Sequence, residues 1–300
     1  MQPALTSMQV GLHLPVMAPG LDRDGILEWS RRIDAGPFST LAVGERINFP
    51  NPEAMVTLTA AAVATERVKL AFAVLVLPMH RPVLLAKQLA TLDVLSRGRL
   101  SVGVGVGGRD EDYRAVGAVW DHRLLGRLED SVATMRRVWR GEIMAEGIER
   151  PVEPFPLQKG GPELMIGALF AQSIRRAARW ADGITSFSFG PTAEDVAEKF
   201  ELARNAWSQA GREKSPRLVT GFWFALGPNG GAQLDSYLER YLAFMGPTAG
   251  RDLAPFCIAR SASGAREAIA RCRDAGADEV LLTPTTADPD EVLRLADLLG

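Results

Sequence analysis

The sequence predicts an α/β chain folded as a (β/α)8 TIM barrel, with insertions in the loops at its C-terminal mouth. Three observations carry this expectation. Strand-like and helix-like segments alternate from end to end, as in parallel βα units. Eight strand-like runs can be counted, whereas an open doubly wound sheet has about five or six parallel strands. Several runs are continuously apolar, as expected of strands covered on both faces.

In chain order the strands read QVGLHLP (9–15), TLAVGE (40–45), VKLAFAVLVLP (68–78), LSVGVGVG (100–107), ELMIGA (163–168), GITSFS (183–188), RLVTGFWFAL (217–226) and EVLLTP (279–284). Helix starts are legible between them. Asn51-Pro52-Glu53 and Asp288-Pro289-Asp290 each place a capping side chain before a proline at the first helical position, and Thr192 to Asp195 reads as a capping box. Gly276 is the expected stop of the helix before the eighth strand. Residues 141–162, with four prolines, and 229–262, with an extra helix near QLDSYLERYLAFM, exceed a minimal repeat and read as insertions. No low-complexity tract or Gly/Ser linker divides the chain, so 1–300 is expected to be one domain.

Composition narrows the function. With 47% hydrophobic residues, 23% charged residues and a net charge of -2, the chain lacks the basic footprint that nucleic acid or an anionic membrane requires. The start, MQPALTSMQVGLHLPV, lacks a signal peptide's basic and apolar regions, and no apolar run approaches the roughly 20 residues of a membrane span, so a cytoplasmic protein is expected. Cys257 and Cys272 fit neither a zinc spacing nor a disulfide framework, and no metal site is expected.

The stretch SVGVGVGGRDED (101–112) contains G-x-G-x-x-G at Gly103, Gly105 and Gly108. A dinucleotide fingerprint puts those glycines in the turn leaving a strand, with an acid ending the next strand about 20 residues on. Here Gly103 and Gly105 fall inside the strand, and Glu129 falls in a strongly helical stretch, so the Rossmann reading fails. Alternation places Val102, Val104 and Val106 on one face and Gly103, Gly105 and Gly107 on the other. That bare face implies either a crowded interior or a flat ligand against the backbone.

The run LLAKQLATLDVLSRGRLSVGVGVGGRDEDYRAVG (84–117) closely resembles the luciferase-like monooxygenase superfamily, as do FSTLAVGER (38–46), AVLVLPMHRP (73–82) and ELMIGALFAQSIRRAARWADG (163–183). The resemblance implies a barrel that binds FMN or the deazaflavin F420 at its mouth, and either oxygen insertion by reduced flavin or hydride transfer with F420. It implies a non-proline cis peptide at Ala73-Val74 beneath the flavin's central ring, and a phosphate site at Gly167, Ala168, Leu169 and Ser173, where a helix N-terminus offers free N–H groups. Two departures stand out. Many members follow the strand-two acid with His, whereas this chain has Glu45-Arg46; luciferase-type members have a phosphate-binding arginine where this chain has Val106.

By position alone, His13 and Glu45 are the ionisable residues best placed for catalysis, at strand C-terminal ends. His13 reads equally as a satisfied rim histidine, and Glu45 as half of an ion pair with Arg46. His80 and His122 fall in loops and read as solvated. Asp110-Glu111-Asp112 opens a helix, where acids suit the dipole. Trp223 and Phe224 read as core or pocket wall. The candidate cofactor contacts are Ala73, Val74, Gly105, Val106, Gly107, Gly167, Ala168, Leu169 and Ser173. The leading expectation is a flavin-dependent monooxygenase that uses reduced FMN and oxygen on a small organic substrate, with FMN reduced by a separate flavin reductase. The alternatives are an F420-dependent dehydrogenase or reductase and a flavin-binding protein without turnover; a homodimer is expected from the resemblance.

Overall fold

The computed structural model describes residues 8–167 and 170–300. In chain order its elements are β1 (Gln9–His13), α1 (Arg23–Ala35), β2 (Thr40–Val43), α2 (Ala54–Ala64), β3 (Lys69–Val76), α3 (Pro82–Leu95), β4 (Leu100–Gly105), α4 (Asp110–Ala115), α5 (Leu124–Trp139), β5 (Glu163–Gly167), α6 (Ala171–Ala177), β6 (Gly183–Thr185), α7 (Ala193–Gln209), β7 (Arg217–Phe224), α8 (Gly230–Tyr241), α9 (Ala249–Leu253), α10 (Ala262–Asp274), β8 (Glu279–Pro284) and α11 (Asp290–Leu299). The strands pair in parallel in sequence order, and β8 closes onto β1. The eight-unit barrel is therefore as the alternation predicts. Most strands leave the ladder sooner at the mouth than their apolar runs suggest, because the stagger of a tilted, closed sheet leaves rim residues without a partner.

Period-2 alternation divides each strand between two environments. Outward residues such as Leu41, Phe72, Val102, Ile166 and Leu282 pack beneath the helices in the main core. Inward residues Ala42, Ala71, Met165, Val219 and Leu281 fill the barrel centre. Below them, at the N-terminal ends, Arg217 reaches both Glu163 and Glu279. Ser101 donates to Glu163, and Ser39 and Thr40 donate to Glu279. This ionic floor joins β2, β4, β5, β7 and β8. Glu279 is the fully buried member, so removing Arg217 would strand its charge, whereas the Glu163 end is partly exposed and screened by solvent.

Local expectations fare unevenly. Thr192 caps α7 by accepting from the Asp195 N–H at 3.1 Å, and Gly276 takes a φ of 87° just past α10. The cap of α2 is instead Glu53, whose carboxylate accepts from the Val56 N–H at 2.7 Å, while Asn51 turns back toward Arg46 and Pro52 backbone oxygens. The 229–262 segment supplies α8 and lies over the mouth. The 141–162 segment does not. It joins α5 to β5, so topology sends it to the opposite end, where Gln158 binds Asp93 and the Leu100 carbonyl and Lys87 reaches the Glu153 carbonyl. Cys257 and Cys272 are free and buried. No helix of the described residues is long and apolar enough to cross a membrane.

The G-x-G-x-x-G stretch separates by position. A Cβ on Gly103 would lie 2.4 Å from the Phe72 carbonyl oxygen, a backbone atom that cannot step aside, whereas one on Gly108 would meet nothing within 4 Å. Gly103→Ala is expected to cost about 1–3 kcal/mol, and Gly108→Ala less than about 0.5 kcal/mol. Urea midpoints of the two variants against the parent check this; equal midpoints would contradict the crowded-interior reading.

Candidate active site at the barrel mouth

The mouth is organised around a distortion in β3. The Ala73–Val74 peptide is cis, and the ladder to β4 shifts register between Phe72 and Leu75. Val74 turns inward there. A Cβ on Gly167 would lie 2.6 Å from a Val74 methyl, and ones on Gly103 and Gly105 would lie 3.2 and 3.1 Å from its methyls. The bare faces of β4 and β5 thus make room for the side chain of the neighbouring strand. Gly105 is buried beneath Val74, whereas Ala73, Val74, Val106 and Gly167 are half-buried and Gly107 is exposed with a φ of 65°. These residues form an apolar shelf along the β3–β5 rim. Ser173 sits half-buried on α6, and Ala168 and Leu169 lie outside the described residues.

The β6–β7 side is aromatic. Phe187 meets Trp223 edge-on at 4.5 Å, Trp223 meets Tyr241 at 5.7 Å, and Tyr241 stacks on Tyr237 at 5.5 Å. Trp223 and Phe224 are both buried in the main core, Trp223 within the aromatic cluster it forms with Phe187 and α8. Alternation along the strand signalled Trp223, but nothing local signalled its partners on α8.

His13 ends β1 on the inward face, beside Ala42 of β2. Burial pushes its pKa down to about 4, so the imidazole is neutral at physiological pH and can accept or donate one hydrogen bond. Glu45 is committed. One of its oxygens accepts from the Val76 N–H at 2.7 Å and the other meets His80 Nε2 at 2.9 Å, with its side chain only 2% exposed. The expected Glu45–Arg46 pair does not form, and His80 is not the solvated loop residue its position suggested. Burial works against the imidazolium of His80, yet the hydrogen bond and charge of Glu45 outweigh it and raise its pKa. His122 is exposed.

Asp112 was read as one of three acids favoured by the start of a helix. It is buried, accepts from the Asn48 N–H at 2.7 Å and the Ile47 N–H at 3.3 Å, and pairs with Arg109 at 2.8 Å. One carboxylate thereby ties the loop after β2 to the loop after β4.

A closed parallel barrel with a bulge on β3 and bare neighbouring strands is the architecture that the central motif implied. The profile of the luciferase-like monooxygenase family matches residues 5–296, and this chain belongs to that family. An uncharacterized protein of Mycobacterium tuberculosis (strain ATCC 25618 / H37Rv) is 36% identical over 172 residues, covering 55% of this chain and 59% of that protein. The phthiodiolone/phenolphthiodiolone dimycocerosates ketoreductase of Mycobacterium sp. (strain JLS) is 32% identical over 158 residues, covering 49% of this chain and 40% of that enzyme. The matches thus span about half the length of these curated relatives. Among solved structures, a monooxygenase from Streptomyces bottropensis superposes with a TM-score of 0.79 at 21% identity, covering 97% of both chains. The coenzyme F420 dependent tetrahydromethanopterin reductase from Methanopyrus kandleri gives 0.76 at 18% identity, also covering 97% of both. At these identities the structural likeness is one of fold.

The Glu45–His80 pair has a pH signature. Because His80 titrates above the 6.5 of a free imidazole, the pair stabilises the fold fully below that value and its contribution fades as pH rises through the folded-state pKa. His80→Gln is expected to cost on the order of 1 kcal/mol near pH 6 and clearly less near pH 9. Denaturant titrations at the two pH values check this, and an equal loss at both would show that the pair carries no charge.

Proposed function

We propose that this chain is an oxidoreductase that holds a flavin-type cofactor on the half-buried shelf of Ala73, Val74, Val106, Gly107 and Gly167, with hydride transfer through F420 as its chemistry. The shelf is the observation that carries the reading: a side chain has been removed at each position where it would stand between Val74 and its neighbours, leaving a low apolar surface suited to a planar ring. Two points favour hydride transfer over oxygen insertion: Val106 replaces the phosphate-binding arginine of the luciferase type, and a curated relative with a named activity is a ketoreductase.

When bound, the cofactor supplies a hydride donor or acceptor. The chain's own residues supply the surroundings. Ala73 and Val74 would support the ring of such a cofactor, and the Phe187–Trp223–Tyr241 cluster would help to exclude water from the mouth. His13, neutral and inward, offers a hydrogen bond to a substrate oxygen without adding charge. Glu45 acts one step away, bracing the ends of β2 and β3 through Val76 and His80 so that the bulge keeps its shape.

The second reading is the FMN monooxygenase, with a separate reductase and a small organic substrate, and the aromatic wall favours it because oxygen chemistry demands a dry mouth. A second copy of the chain is also proposed as a partner. Helix α2 (AMVTLTAAAVA) is apolar nearly all round, and Val56 and Val63, two turns apart on it, and Leu84 on α3 stand exposed in the barrel's outer layer.

Titration of the purified protein with F420 and with FMN, followed by cofactor fluorescence, tests the proposal. Micromolar binding of F420, weakened at least about tenfold by Val106→Trp at the rim, is the expected result. Preference for FMN moves the chemistry to the second reading, and binding of neither overturns the cofactor assignment. For the dimer, Val63→Glu is expected to halve the mass seen by light scattering; an unchanged mass places the contact elsewhere.

A further inference from the structure

Arg46 stands where many relatives have histidine, and its surroundings leave it short of partners. Its side chain is 4% exposed, its Nε is buried with no hydrogen-bond partner among the described residues, one terminal nitrogen donates to the Tyr241 carbonyl at 3.3 Å, and the other lies 3.7 Å from Glu111. Aromatic faces supply the rest of its environment, with the guanidinium 4.0 Å from the Phe49 ring centre, 5.3 Å from Tyr241 and 5.5 Å from Phe244. Cation–π contacts of this kind stabilise a cation by about 0.5–2 kcal/mol each but satisfy none of its N–H donors.

The charge around it is unbalanced. Arg109 lies 5.0 Å from the same Phe244 ring, and Arg240 lies 5.7 Å from the same Phe49 ring. Asp112 spends its oxygens on Asn48, Ile47 and Arg109, and among the described residues Arg240 donates to the Met17 carbonyl and otherwise faces the Phe49 and Tyr237 rings. Glu111 is the remaining acid in reach, at a distance that makes no hydrogen bond and with 38% of its side chain exposed. A buried cation facing a half-exposed acid across a loose gap is a cation whose present carboxylate is replaceable.

We propose that Arg46 is the anion-recognition residue of the mouth, and that the substrate is a flat, aromatic or conjugated molecule bearing a carboxylate, which displaces Glu111 from Arg46 as its ring settles against Tyr241 and Trp223. This deepens the oxidoreductase reading and rests on it for the word substrate. Binding itself is independent of the cofactor. Arg46 acts here in specificity, by fixing one end of the molecule while the other end faces the shelf.

Benzoate, with benzamide as its uncharged counterpart, is the probe, and binding is read by isothermal titration calorimetry with and without F420 or FMN. The expected result is benzoate binding at least about tenfold tighter than benzamide, lost in Arg46→Met, partly kept in Arg46→Lys, and strengthened severalfold in Glu111→Gln, which removes the competing carboxylate. The gain in Glu111→Gln is a signature that a structural role for Arg46 does not produce. Equal binding of the two probes, no benzoate binding at all, undiminished binding in a folded Arg46→Met, or weaker binding in Glu111→Gln overturns the proposal. So does a loss confined to cofactor affinity in Arg46→Met, which assigns the guanidinium to the cofactor's own anionic groups. If neither cofactor binds while benzoate still follows Arg46 and Glu111, the anion site stands and the cofactor assignment alone fails.

Discussion

The mouth of this barrel depends on one side chain turning inward. Val74 occupies space that β4 and β5 would ordinarily fill with their own side chains, and it does so only because Gly103, Gly105 and Gly167 have none. Interiors are packed close to crystal density, so an inward valine on one strand and bare positions on the next two are a single feature. The shelf, its depth and the register shift between β3 and β4 all follow from it.

The two ends of the barrel solve different problems. At the N-terminal end, charged and hydroxyl groups from five strands are bonded to one another, and the Arg217 guanidinium bridges two carboxylates. At the mouth, charges are held apart by aromatic rings, and one donor, Arg46 Nε, is buried without a partner among the described residues. A polar group left unsatisfied in a dry environment costs about 1–3 kcal/mol, so a fold keeps it where something else is to bind. Buried unpartnered atoms also occur on Trp180, Trp207 and Thr220, so what sets Arg46 apart is that its unpartnered atom belongs to a charged group at the mouth.

Much of this was legible in the sequence, and what was missed has a common cause. Strand number and order follow from local periodicity, the family follows chiefly from the strip at residues 84–117, and the Ala73–Val74 cis peptide from the resemblance at the end of strand three, residues 73–82. Gly103 was correctly placed inside a strand, but the crowding atom belongs to Phe72, a residue 31 positions earlier. Glu45 was given Arg46 because they are adjacent, yet adjacent residues in an extended segment point apart, and its partner His80 comes from the next βα loop. The floor had a signal that went unused: β3, β5, β7 and β8 each open on a charged residue, Lys69, Glu163, Arg217 and Glu279. The length of the 141–162 segment suggests a mouth insertion, but it links α5 to β5, and a link from helix to strand belongs to the floor.

Asp112 gives the mouth a consequence beyond its geometry. By gripping the backbone of Asn48 and Ile47 from the base of α4, it makes the loops after β2 and β4 one mechanical unit, although more than sixty residues separate them in the chain. Loops joined in this way cannot drift independently as sequences diverge. A change in one alters the frame in which the other is judged, so new specificities in this barrel are expected to arise by paired substitutions across the two loops.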